Sequence, residues 1–133
     1  MNFIEWDESM SVQVKEIDDQ HKTLIGIVNK VHETDLSEDK EKGNQILNEL
    51  IEFVRVHFST EEKYFEKFKY EGTAEHIAEH IKLVEKVIGF KQLYDNGKYD
   101  GKMFLDFLKE WLKVHLLVTD QKYVKCFQEH GLS

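Results

Sequence analysis

No proline interrupts the 133-residue chain, and its apolar residues recur at intervals of three and four. Strand-rich chains are punctuated by Pro and Gly and alternate apolar with polar residues, so this pattern predicts an all-α fold. It resolves into four helices. After an irregular arm over residues 1–17, Asp18 is placed to cap a first helix that ends near Thr34 and gathers His21, Leu24, Ile25, Val28 and Val31 on one face. Ser37 or Asp39 caps a second, running to Phe68, with Ile46, Leu47, Leu50, Val54, Phe58 and Phe65 on its inner stripe. Gly72 marks a break, and Thr73 opens a third that Asn96-Gly97 closes, with Ile77, Leu83, Val84, Val87 and Ile88 inside. The fourth runs from Asp100 towards His130. Four helices of about 20 residues, each about 30 Å long and joined by short loops, predict an up-down-up-down four-helix bundle.

Size and charge bound what such a bundle touches. Surface scaling gives about 7,300 Å² exposed when folded against about 22,900 Å² unfolded, enough burial for one core and one domain over residues 1–133. The 18 basic and 26 acidic residues leave a net charge of −8, which repels phosphate backbones and anionic lipid, so nucleic acid is excluded as a partner. The longest uncharged run, Thr23 to Asn29, is far shorter than the ~20 residues of a membrane span. Acidic residues stand where a secretory signal carries a basic start, and the lone Cys126 excludes an internal disulfide, so the cytoplasm is the expected compartment; separately, the chain is expected to act as a monomer.

Five of the seven histidines fall where they can meet. His57 and Glu61 are four apart, about 400° of helix rotation, and so share a face one turn apart; His76 and His80 repeat the spacing. Each pair alone is unspecific, although such spacing lets one helix offer two ligands to one metal. Level along the bundle is the stronger argument. His21 starts the first helix, His57 and Glu61 lie late in the second, His76 and His80 start the third, and His115 and Asp120 lie in the later half of the fourth. In antiparallel helices these positions form one layer. Five imidazoles and two carboxylates exceed the four ligands of a usual zinc site, so two metal ions are expected, coupled to folding because unpaired buried carboxylates are costly. His115 and Asp120, five apart, sit about 140° apart on a regular α-helix, so either they reach the centre from its two flanks or the helix carries a π-bulge.

The donor set suggests the chemistry. Ferritin-like di-iron proteins use Glu-x-x-His pairs, and none occurs here. Imidazole in excess of carboxylate stabilises high-valent iron poorly and favours reversible chemistry. Leu24, Phe58, Trp111 and Leu112 flank the expected ligands and offer neither acid nor nucleophile, a wall suited to a small uncharged ligand.

The motifs FIEWDESMSVQVKEIDDQHKTL, HFSTEE, HIAEH and WLKVHLLVTDQKY, in this order and over nearly the whole chain, resemble the hemerythrins, specifically the single-domain bacteriohemerythrins. The resemblance implies that His76, His80 and His115 bind one iron, His21 and His57 the other, and that Glu61 and Asp120 bridge them together with an oxo or hydroxo group. It implies reversible O2 binding at the iron with two histidines, for oxygen storage, transport or buffering, and a ligand pocket at Leu24, Phe58, Trp111 and Leu112. Leu116 departs from the isoleucine frequent in the family, a volume-conserving change in the wall. The competing class is a di-iron redox enzyme acting on nitric oxide, peroxide or ferrous iron; the expectation is a binder, not an enzyme.

The remaining candidates have plainer readings. His32 returns to within about 20° of the face of His21 but about 16 Å along the axis, and reads as a core or bundle-end residue. His130 reads as solvated and Cys126 as half-buried. Tyr123 reads as a packing residue or a hydrogen-bond partner of a ligand. Phe3 and Trp6 are expected to dock the arm.

Overall fold

The computed structural model describes residues 3–133; Met1 and Asn2 of the expected arm lie outside the described residues. Four long helices dominate: α1 (Lys15–Glu33), α2 (Lys40–Phe68), α3 (Thr73–Asp95) and α4 (Gly101–Val114). A π-helical turn (His115–Thr119), a 3-10 turn (Asp120–Tyr123) and a short α5 (Val124–Glu129) continue α4. Helix α1 packs against α2 and α4, and α2 against α3, the neighbours expected of a four-helix bundle.

Local chemistry sets most helix ends. The Asp39 carboxylate accepts from the Lys42 amide and that of Asp100 from the Met103 amide, each satisfying a first-turn donor. Helix α2 closes with Lys69 in the left-handed region at φ 52°, and α3 ends with Asn96 followed by Gly97 at φ 73°. Asp18 differs from expectation. Helix α1 begins three residues earlier, behind Val14, which makes no side-chain cap. Asp18 instead sits in the first turn and accepts from Val12 N at 2.9 Å and Ser11 Oγ at 2.6 Å, so its carboxylate ties the arm rather than the helix end.

The arm is fastened at both ends. Asn29 holds Ile4 through a reciprocal pair, its Oδ1 accepting from Ile4 N and its Nδ2 donating to Ile4 O, both at 2.8 Å. Ile4, Met10, Val12 and Val14 are buried, and Phe3 and Trp6 pack on the core as expected. His32 is not a core residue: it is exposed and stacks on Phe3 with ring centroids 4.4 Å apart, at the end of the bundle. His130 is exposed and stacks on Phe68 at 4.5 Å.

The apolar stripes of α1 and α2 are buried as read from the sequence. On α3, Leu83 and Val87 are buried, whereas Ile77, Val84 and Ile88 are only half-buried and Phe90 and Tyr94 complete the inner face. The core itself is divided. One apolar cluster contains Leu24, Phe58, Leu83, Leu112 and Leu116; a second contains Val12, Val14, Ile17, Phe65, Tyr123 and Phe127. Along α1 and α2 a buried polar residue falls between them, in the orders Ile17, His21, Leu24 and Phe58, Glu61, Phe65.

The expected single fourth helix is broken. The Asp120 amide donates to His115 O, five residues back, so the chain turns wider than an α-helix before tightening into the 3-10 turn. The side-chain amide of Gln121 donates to Leu116 O at 3.0 Å and to Ser11 O at 3.1 Å, which satisfies a carbonyl in the widened turn and pins the arm to it.

A candidate metal centre between two apolar clusters

Seven polar side chains are buried between the clusters: His21, His57, Glu61 and Asp120 have no exposure, and His76, His80 and His115 have 2–3%. Their ligand atoms form two overlapping groups, each with all atoms within 4.8 Å of one another: His21, His57, Glu61, His115 and Asp120, and Glu61, His76, His80 and His115. Asp120 reaches both ways. Its Oδ2 lies 3.0 Å from His21 Nε2, and its Oδ1 lies 3.0 Å from both His76 Nε2 and His115 Nε2. Glu61 Oε1 is 3.1 Å from His80 Nε2 and 3.4 Å from His57 Nε2. All seven ligands expected from the sequence are thus brought together. His115 and Asp120 share a face because the π turn fits the five-residue step into about one revolution, the second of the two geometries open at the sequence level.

His21 Nε2 and His57 Nε2 approach to 3.0 Å and can share a hydrogen bond, but most of the close approaches leave the ligand atoms unpaired. Nε2 of His76, His80 and His115, Oε1 of Glu61 and both Asp120 oxygens are buried without a hydrogen-bond partner. Orphans of this kind cost about 1–3 kcal/mol each, and six in one layer would be a serious defect in a core. Lone pairs aimed at common points are instead what cations require. The tautomers agree: His57 Nδ1–H donates to Gln20 Oε1 and His80 Nδ1–H to Glu62 Oε2, both at 2.8 Å, leaving each Nε2 with its lone pair directed inward. The Gln20 amide is oriented in turn by donating from Nε2 to Thr60 Oγ1 at 3.1 Å. Glu61 Oε2, its other oxygen, accepts from the Tyr123 hydroxyl at 2.5 Å.

Electrostatics of the layer without cations shows the same strain. Burial pushes His57 down to about 3, despite the Glu61 charge beside it. Burial also opposes protonation of His115, but Asp120 and Glu61 outweigh it and raise that imidazole to about 10. Burial pushes the two carboxylates up, as does the Asp120 charge at Glu61, and the surrounding imidazoles outweigh this, holding Glu61 and Asp120 below the usual carboxylate range. Burial, then the charges of Asp120 and Glu61, raise the Tyr123 phenol well above its ordinary value, so it remains a donor.

The expected pocket residues surround this layer in two ways. Leu24, Trp111 and Leu112 line an apolar cavity of about 10 Å³ with Val28, Leu50, Val54, Leu83, Val87 and Leu108. Phe58 instead stacks on His80, with ring centroids 3.6 Å apart and planes 6° from parallel, and Trp111 stacks on His115 at 4.3 Å. Gln20, Thr60, Glu62 and Gln121 were not singled out in the sequence. Gln20 and Glu62 adjoin the ligands His21 and Glu61, but their contacts are to histidines on other helices, which helix periodicity does not reveal.

A hemerythrin HHE cation binding domain matches residues 12–127. The chain is 36% identical over 126 residues to a bacteriohemerythrin of Clostridium acetobutylicum, covering 90% of this chain and 97% of that protein. It is 34% identical over 110 residues to the bacteriohemerythrin of Methylococcus capsulatus, covering 82% and 84%. The crystal structure of a wild-type hemerythrin superposes with a TM-score of 0.86 at 31% identity, over 93% of this chain and 97% of that one. With these likenesses, and a buried histidine and carboxylate layer that fits a di-iron centre, the chain belongs to the hemerythrin family.

Proposed function

We propose that the protein binds O2 reversibly at a di-iron centre, with His76, His80 and His115 holding one iron, His21 and His57 the other, and Glu61 and Asp120 bridging. One observation carries this reading: buried ligand atoms, six of them without a hydrogen-bond partner, converge in two overlapping groups that share Glu61 and His115. Asp120 supports the bridging role, since its two oxygens face different histidines. When bound, a ferrous pair supplies the electrons that O2 takes up on binding and returns on release.

The residues of this chain do the rest. His57 and His80 are oriented by Gln20 and Glu62, and Glu61 by Tyr123. The cavity beside the layer admits about one water-sized molecule but offers no hydrogen bonds, so it disfavours water and accepts a small apolar ligand. Excluding water and protons from the site would slow departure of the reduced oxygen as peroxide, which is what reversibility needs. Leu24, Trp111 and Leu112 supply no general acid or nucleophile, which favours a binder for storage, transport or buffering over an enzyme acting on nitric oxide, peroxide or ferrous iron.

The same reading takes residues 1–133 as one domain acting as a cytoplasmic monomer. Cys126 is free and half-buried, with its thiol pushed up by burial, and no helix among the described residues is long and apolar enough to cross a membrane. The deciding experiment is metal analysis followed by visible spectra of the ferrous protein before air, after air and after O2 removal. Two irons per chain and a charge-transfer band that appears and disappears with O2 are expected. A single zinc, or irreversible oxidation with peroxide release, overturns the proposal.

A further inference from the structure

The two ends of the metal layer are backed by groups of different charge. At one end His80 Nδ1 donates to Glu62, a carboxylate whose side chain is 35% exposed at the groove between α2 and α3. At the other, His57 Nδ1 donates to Gln20, a neutral amide held by Thr60. Both bonds are 2.8 Å long, so the difference is one of charge and not of geometry. His21 Nδ1 is buried with no partner and adds no compensating charge at its end.

We infer that Glu62 is a positioning residue that polarises the di-iron centre: its charge acts through His80 to favour the ferric state at the three-histidine end, while Gln20 leaves the two-histidine end less electron-rich. The inference rests on the di-iron reading above. The physical chain is short. A carboxylate accepting the Nδ1 proton makes the imidazole a stronger donor through Nε2, and a stronger donor stabilises the higher charge of ferric iron. An amide accepting the same proton orients the ring without adding charge. Phe58, stacked on His80, shields the ring from water on one face, so the Glu62 charge is screened less than at an open surface. The structure therefore separates two roles that usually coincide: orientation is supplied at both ends, charge at one.

The test uses the full-length protein loaded with iron-57. Glu62→Gln keeps a hydrogen-bond acceptor and removes the charge; Glu62→Ala removes both; Gln20→Glu places a charge at the opposite end. Glu62→Gln is expected to retain two irons, to raise the midpoint potential and to shift one of the two Mössbauer signals of the ferric protein while leaving the other in place. Gln20→Glu is expected to lower the potential and shift the other signal. Glu62→Ala should weaken retention of one iron against a chelator by about 10–100-fold. Unchanged potential and spectra in Glu62→Gln, with two irons bound, overturn the inference and leave Glu62 a surface anchor. Fewer than two irons in the unsubstituted protein instead overturns the di-iron reading itself.

Discussion

His115 Nε2 and Asp120 Oδ1 lie 3.0 Å apart although five residues separate them, because the helix between them widens into a π turn closed by the Asp120 amide on His115 O. A regular α-helix would point the two side chains about 140° apart. The wide turn also leaves Leu116 O to the side chain of Gln121, which spans from the turn to the N-terminal arm. Replacing Gln121 with Leu is expected to lower unfolding stability by about 1–3 kcal/mol by orphaning carbonyl oxygens, read from denaturant unfolding. No change in stability would mean that the turn holds itself.

His57→Ala removes a fully buried ligand and leaves its neighbours unpaired, so loss of one or both irons and a lower melting temperature are expected. His32→Ala serves as the contrast, because His32 is exposed and touches Phe3 rather than the layer. It should keep both irons and cost at most about 1 kcal/mol, the scale of an aromatic pair. Iron content by elemental analysis decides between them, and equal loss in both variants refutes the ligand assignment.

Leu112, 2% exposed, stands in the wall of the dry cavity. Leu112→Asn gives water a hydrogen-bonding partner there, and the oxygenated protein is expected to autoxidise faster, followed by decay of its visible absorption. An unchanged decay rate would remove Leu112 from the ligand pocket.

Stability of the iron-free protein depends on pH through two histidines of opposite sign. His57, lowered by burial to about 3, takes up a proton more readily unfolded than folded, so its contribution is present above pH ~6.5 and lost as pH falls towards 3. His115, raised to about 10 by Asp120 and Glu61 against burial, contributes fully below pH ~6.5 and loses that contribution as pH rises towards 10. Urea unfolding of chelator-treated protein should therefore show maximal stability near pH 6.5, falling on both sides. Iron loading should flatten the alkaline side, because a ligated His115 has no proton to lose. A stability that rises steadily from pH 6.5 to 9 without iron contradicts the His115 environment.

Much of this architecture was legible in the sequence because it depends on helix periodicity, which is local. The stripe of Leu24, Val28 and Val31 and that of Leu47, Leu50 and Val54 needed only three- and four-residue spacing, and the caps at Asp39 and Asp100 only short-range hydrogen bonding. Level along antiparallel helices was enough to place five imidazoles and two carboxylates in one layer. Asp18 reads as a cap, but its carboxylate has two available uses, at a helix start or on a preceding loop, and packing of the arm selects the second. His32 reads as a core or bundle-end residue because rotation alone returns it to the face of His21; in the structure it is exposed and packs on Phe3.

By itself the sequence determined an all-helical chain, the stripes that face inward and a set of metal-binding residue types at one level. Only the tertiary structure decided which of two geometries joins His115 to Asp120, and which neighbours stand behind the ligands: Gln20 behind His57, Glu62 behind His80, Tyr123 behind Glu61. The reason is physical. A helix fixes where its own side chains point through bonds within a turn, whereas the contacts that orient a ligand cross between helices and exist only once the bundle has closed.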